Sequence, residues 1–414
     1  MQKYFSERFP ALKSRDYSIF LSSQFISNIG SHMQMVALNW HIYELTHSAL
    51  ALGLLGLSRF VPIIVFSLLG GSFADSHNRK KILYASQFFL VFSTSILIYT
   101  THNQTIDSKT IYLVTILSTI AFSFEMPARQ AFWPSLVKRQ DFVNASSLGS
   151  IFFQIAMIIG PTFSGLLIAH GSLELIYSLN AISYLFLVVG LYFVKHNGSI
   201  AGSPTSVSLS AIIEGFKFVR TKTMIWSTML LDFFGTFFSS ATALLPIFAQ
   251  DILSVGPERL GLLYAAPSIG AVLAGLIIAH KHDLRKQGIV LLLSVVIYAV
   301  GTIIFGFSKI FFVSFLALLS VGFGDSISTI IRNSIRQLET PDYIRGRMSS
   351  INVIFFMGGP QLGEFEAGFL AQYMGAPFSV ISGGVGTLVV VILMGLKIPT
   401  LRHYDRHQDV LEKI

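Results

Sequence analysis

Apolar runs of about 20 residues, the length an α-helix needs to cross a hydrocarbon layer, recur from end to end of this chain. Six fall in the first half, at 19–43, 49–73, 82–101, 110–133, 146–169 and 175–194. Six more fall in the second half, at 224–249, 260–279, 288–308, 310–331, 349–372 and 377–396. Of the 414 residues 52% are hydrophobic and only 12% charged, against about 25% charged in a soluble protein. In lipid only a structure that closes its backbone hydrogen bonds internally can span. The expectation is therefore an all-α membrane protein of twelve transmembrane helices.

The runs predict two bundles of six helices at 1–194 and 224–397, a cytoplasmic linker at 195–223 and a tail at 398–414. The linker opens on the loop formers Gly198, Gly202 and Pro204, and its 210–222 stretch reads as an amphipathic surface helix. No short apolar core with a small-residue cleavage site follows the first 17 residues, so the first run is expected to stay as an anchor.

With the amino terminus in the cytoplasm, 24 of the 29 Lys and Arg fall on that side, including those from Arg332 to Arg347. Only Lys109, Arg259 and Lys309 fall on the other, while Arg59 and Arg129 lie inside runs. This bias places both termini in the cytoplasm of a cell or inner membrane. It also explains the net charge of +8 as topology, leaving no call for a nucleic-acid partner. Cysteine is absent, which excludes disulfides, thiolate catalysis and Cys-built metal centres. No metal and no cofactor is expected.

A displacement of 203 residues carries Arg129 onto Arg332, Ser147 onto Ser350, Gly160 onto Gly363 and Gly165 onto Gly368. Glycine and serine are common in membrane helices, but two coincident arginines are not, and the pattern reads as an internal duplication.

Charge inside a membrane is expensive, so each buried charge is a functional candidate. Asp232 lies in Leu230-Leu231-Asp232-Phe233-Phe234, where apolar surroundings favour the neutral carboxyl that a proton carrier needs. The competing reading is a structural carboxylate paired with an Arg of another helix. Arg59 lies mid-run and cannot shed its proton. It requires a carboxylate, with Asp232 as a candidate partner, or a carbonyl, a wet cavity, an anionic substrate or a path to the interface. In the first run Gln24, Asn28, Ser31, His32, Met35 and Asn39 share one helical face, which lines either a cavity or another helix. His32 is either a hydrogen-bonding group or a proton carrier. Glu125 and Arg129, four apart, suit an ion pair on one helix. Asp325 and Glu364 are further proton or substrate candidates, and Glu366, two residues from Glu364, faces away from it.

The loop Gly70-Gly71-Ser72-Phe73-Ala74-Asp75-Ser76-His77-Asn78-Arg79-Lys80-Lys81 resembles the signature loop of the major facilitator superfamily. That resemblance implies close helix packing at Gly71, a helix cap from Asp75 and a cytoplasmic gate closed by Arg79. Asn78 stands where the family has Gly, and His280 stands where Asp would fall in the second copy. Gly160-Pro161 with Gly165 is similar to the antiporter-associated motif, a helix kink with close packing. Pro127-Ala128-Arg129-Gln130-Ala131, Pro134 to Val137, Asn144-Ala145, Ala243 to Pro246 and Gly363-Glu364 resemble the efflux branch of siderophore and macrolide exporters.

The resemblance implies a major facilitator fold of two pseudo-symmetric bundles and a monomeric secondary transporter. A central cavity would be lined by the first, fourth, seventh and tenth runs. Export of an amphipathic small molecule, a drug or a siderophore, against inward protons is the expected activity, and the 37 Phe suit an apolar or aromatic cargo. An importer or facilitator of a metabolite or lysolipid shares the fold. A membrane enzyme has little support, because no Gly-Lys dipeptide, His-Glu-x-x-His or Gly-x-Ser-x-Gly occurs. A non-transporting receptor would not require charges this deep.

Overall fold

The computed structural model describes residues 9–198, 209–280, 285–341 and 344–405. Parts of the expected linker (199–208), tail (406–414) and second-half signature loop (281–284) lie outside the described residues. Among the described residues every regular element is helical. In the first half the long helices are α1 (Arg15–Thr46), α2 (Ala49–Ser76), α3 (Arg79–His102), α4 (Ser108–Phe132), α5 (Phe142–His170) and α6 (Leu173–Phe193). A shorter α7 (Leu209–Thr221) follows, then α8 (Thr223–Phe238), α9 (Gly256–His280), α10 (Gln287–Phe307), α11 (Phe311–Glu339), α12 (Arg345–Met374) and α13 (Ala376–Lys397).

Ten helical stretches among the described residues are long and apolar enough to cross a membrane. The long helices outside that set, α1 and α12, carry the polar stripe of the first run and the glutamates of the eleventh. Large apolar side chains such as Phe92, Tyr99, Phe186, Leu276 and Phe307 are exposed. Lipid, not water, suits such an exterior.

Contacts divide the chain into two compact units, one of Met1–Thr46 with Val61–Val207 and one of His47–Phe60 with Ser208–Ile414. The start of α2 thus belongs to the second unit and its remainder to the first. Within the first unit α1 packs on α5 and α6, and α3 on α4 and α6. Within the second, α8 packs on α12 and α13, and α10 on α11 and α13. The pairing pattern therefore recurs between the halves that the 203-residue displacement relates. Tyr17, Phe20, Leu83, Phe132 and Leu187 fill one core cluster, where the Tyr17 hydroxyl donates to the Ala145 carbonyl at 2.6 Å. Leu231, Leu291, Val295, Ile331 and Ile335 fill another.

Two helices depart from the expected runs. The seventh run breaks after α8 into a 3₁₀ turn (Ala241–Leu244), a short α turn (Leu245–Ile247) and a π turn (Phe248–Ile252). Within that stretch Pro246 sits at the start of the Leu245–Ile247 turn, where its missing N–H costs no intrahelical bond. Ser240 covers part of the break by donating to the Thr236 and Pro360 carbonyls at 2.7 and 3.1 Å. The tenth run, expected to end at 331, continues in α11 to Glu339. Arg332 and Arg336, counted above with a cytoplasmic loop, are instead helical and each only 2% exposed.

Close helix crossings set the spacing. A Cβ at Gly322 would collide with the Pro267 backbone, and one at Gly270 would lie 2.8 Å from the Phe323 nitrogen. A Cβ at Gly275, also on α9, meets nothing within 4 Å. Gly322→Leu is expected to cost about 1–3 kcal/mol or more through overpacking, lowering the melting temperature of the detergent-solubilised protein. Gly275→Ala should leave it unchanged or slightly raised.

Candidate functional site

The second unit buries a four-membered charge cluster. Asp232 on α8 is 1% exposed, and its Oδ1 lies 2.9 Å from Nη2 of Arg332 on α11, an ion-pair contact without hydrogen-bond alignment. Its Oδ2 lies 3.6 Å from Nη1 of Arg336. Successive arginines four residues apart share one face of a helix, which brings both guanidiniums to one carboxylate. Neither is held by Asp232 alone. Arg332 donates to the Thr329 hydroxyl at 2.9 Å. Arg336 donates to its own helix at the Arg332 carbonyl, to Asn333 and to Asn352 of α12.

Asp325, two turns before Arg332 on α11, completes the cluster. Its Oδ1 is 3.7 Å from Arg332 Nη2, and its side chain is 44% exposed, in contrast to 1% for Asp232. Beside Asp325 and Arg332 lies a cavity of about 10 Å³, room for about one water, lined also by Thr236, Tyr298 and Ser328. Ser328 Oγ and Arg332 Nε are buried without a hydrogen-bond partner. With both carboxylates ionised, two acids face two arginines and the cluster is neutral.

Arg59 does not pair with Asp232. Its Nη1 donates to Glu364 Oε2 of α12 at 3.0 Å, with both side chains about 15% exposed. Small residues permit the approach: a Cβ at Gly56 would lie 2.7 Å from that of Glu364, and one at Gly53 would lie 3.0 Å from Gly368 Cα. Glu364 therefore stands apart from the Asp232 cluster, and Glu366 turns elsewhere, with Oε2 making no hydrogen bond.

In the first unit Glu125, 4% exposed, receives a 3.3 Å hydrogen bond from Arg129 on the same helix. Gln24 of α1 and Gln87 of α3 lie beside this carboxyl. Gln24 donates to Asn28 at 3.0 Å. The rest of the expected α1 stripe is divided. Ser31 meets the Tyr184 hydroxyl of α6 at 3.3 Å, His32 packs edge-on against Phe153, and Asn39 is buried.

The motif residues find mixed surroundings. Arg79 donates to the Ala131 carbonyl at the end of α4 at 3.0 Å, and Asn78 caps α3 through the Lys81 N–H. A Cβ at Gly71 meets nothing within 4 Å, whereas one at Gly70 would strike the Ser123 carbonyl, so the close packing expected of Gly71 falls on Gly70. Asp75 makes no hydrogen bond or ion pair among the described residues. A Cβ at Gly160 would lie 2.6 Å from that of His32, and Gly160, Pro161 and Gly165 are all buried where α5 crosses α1.

Arg332, Arg336 and Gln87 are the site residues that the sequence reading passed over. The repeat had already aligned Arg332 with the intramembrane Arg129 and so carried the signal for the first. Nothing in the sequence alone marks Gln87.

The profile of the transmembrane secretion effector family matches residues 7–411. The enterobactin exporter EntS of Escherichia coli (strain K12) is 25% identical over 391 residues, covering 94% of this chain and 92% of its own. A solved bacterial homologue of the human lysosomal transporter Spinster, inward-facing and occupied, superposes with a TM-score of 0.73 at 12% identity over 94% of this chain and 98% of that one. The nucleoside transporter NupG does so with a TM-score of 0.67 at 16% identity over 92% and 98%.

Removing one member of a buried ion pair leaves a charge uncompensated, at a cost of about 3–5 kcal/mol. Asp232→Leu is expected to destabilise the protein on that scale, because Arg332 and Arg336 lose the carboxylate they share. Asp232→Leu/Arg336→Leu should recover part of the loss in a thermal-melt comparison. Equal melting of the single and double variants would show that the pair is not energetically coupled.

Proposed function

The chain belongs to the transmembrane secretion effector family of the major facilitator superfamily and is a multi-pass membrane transporter rather than an enzyme, and we propose that it exports an amphipathic small molecule in exchange for protons. The export direction follows the likeness to the enterobactin exporter. The proposal includes twelve spans in two bundles of six, both termini in the cytoplasm of the inner membrane, and a monomer that rocks between inward- and outward-open states. The cargo is of the drug or siderophore kind.

One observation carries the coupling: two carboxylates of unequal exposure share one buried arginine. Asp325, 44% exposed, would be the group that exchanges the proton, and Asp232, 1% exposed, would feel the change through the Arg332 they share. When Asp325 is ionised it competes for Arg332. When it is protonated, Arg332 is left wholly to Asp232. A charge rearrangement of this kind, deep in a membrane protein, is what proton-driven carriers require. In this reading the polar α1 face with Arg59 and Glu125 borders the substrate path, the Gly71–Asp75–Arg79 loop gates the cytoplasmic side, and Gly160, Pro161 and Gly165 form the flexing seam.

The test uses reconstituted vesicles and three probes: a catecholate siderophore, a macrolide and an amphipathic dye. At least one is expected to move against an imposed proton gradient and to stop on addition of an uncoupler. Asp325→Asn and Asp232→Asn should lose gradient-driven movement to the level of empty vesicles while keeping substrate counterflow. Full gradient-driven transport by Asp232→Asn would remove that residue from the coupling. Movement of every probe with the proton flow would make the protein an importer.

A further inference from the structure

Glu125 is buried, and the one cation that meets it holds it loosely. Its one bond from Arg129 is 3.3 Å long, beyond the roughly 2.7–2.9 Å of a strong charge-assisted contact. Arg129 is 19% exposed and also leans over the Phe122 ring, 5.9 Å from its centre. The other neighbours are the two amides. Gln24 gives one N–H of its Nε2 to Asn28 and keeps a second, while its Oε1 is buried and unpartnered, so it can meet either form of the acid. An amide oxygen repels a carboxylate but accepts from a carboxylic acid. Gln87 is fully buried, with neither Oε1 nor Nε2 bonded. It can turn a donor to the ionised form or an acceptor to the neutral form.

We propose that Glu125 is a second proton-exchanging group, housed in the first unit, with Gln24 and Gln87 as positioning residues that serve both of its protonation states. The inference rests on the reading above only in taking the transporter to be proton-coupled. The charged and titratable groups facing Glu125 are Arg129 on its own helix and Tyr184 of α6; α1 and α3 face it with amides. Arg129 and Arg332 coincide under the 203-residue displacement and each faces a carboxylate lying toward the start of its own helix, four residues away in the first case and seven in the second, so the two halves share the arginine while their acids differ in position. On release the Glu125 O–H bond breaks, the proton passes to water on the Arg129 side, and the charge left is met by Arg129 and by Gln87 Nε2. Uptake reverses these steps, and no other bond changes.

The experiment is pH-difference infrared spectroscopy of the full-length protein in lipid, without substrate, reading the C=O stretch of protonated carboxyls. Glu125→Gln is expected to remove one titrating band that Asp232→Asn leaves in place. Gln87→Leu is expected to move that band to higher frequency, since the acid loses an acceptor. No band lost in Glu125→Gln, or a band constant across the pH range between medium and cytoplasm, overturns the proposal. Should Glu125→Gln fail to fold, an unshifted band set in Gln87→Leu overturns it equally. Loss of gradient-driven transport in Asp232→Asn together with no Glu125 band would sink this inference and leave the coupling reading standing.

Discussion

An ionised side chain removed from water must be met by an opposite charge or by aligned dipoles, since the effective penalty is several kcal/mol for each ion. Four acids among the described residues meet that constraint by pairing within a unit. Glu125 meets Arg129, Glu364 meets Arg59, and Asp232 and Asp325 share Arg332 with Arg336 behind. The helices are placed so that these meetings occur. The close crossing of α2 and α12 at Gly53, Gly56 and Gly368 brings the Arg59 guanidinium to Glu364. The contact of α8 with α11 brings Asp232 to the two arginines. Small residues and ion pairs therefore work together: the former set how near two backbones come, and the latter set which turn faces which.

The long apolar helices, ten of them fit to cross a membrane among the described residues, were legible in the sequence because hydrophobic length is a strong and local signal. The partners were not, because pairing depends on tertiary distance: Arg59 and Glu364 are 305 positions apart, and an equally reasonable sequence argument linked Arg59 to Asp232. Arg332 and Arg336 were misplaced for a different reason. A hydropathy window ends where the first arginine begins, so a helix that carries its charges inward for two further turns looks like a helix followed by a basic loop. The repeat pointed the other way, and it was the better guide, since Arg129 and Arg332 both lie on ordered helix beside acids. Gln87 was invisible because one amide among apolar neighbours barely moves hydropathy. The break after Phe238 was invisible for the same reason, because Ser239 and Ser240 barely move a hydropathy window either.

Charge balance gives the clusters a mechanical meaning. With every acid ionised, the Glu125–Arg129 pair and the Asp232–Asp325–Arg332–Arg336 group are each neutral, and a neutral group is the form that tolerates a dry environment. One added proton leaves either cluster with a net positive charge, which water accepts and a dry seam does not. Protonation then favours whichever arrangement keeps the cluster wet, and deprotonation favours the sealed one, which is population shift in its simplest form. The magnitudes agree. Carrying a two-state equilibrium from 1:99 to 99:1 takes about 5.5 kcal/mol, and leaving a buried charge unpaired costs about 3–5 kcal/mol. Under the proposed coupling, a single proton at one cluster would move such an equilibrium most of the way, and protons at both would move it fully. Two clusters of like design, one in each unit, would thus give the proposed proton-driven alternation a physical basis, whatever the cargo.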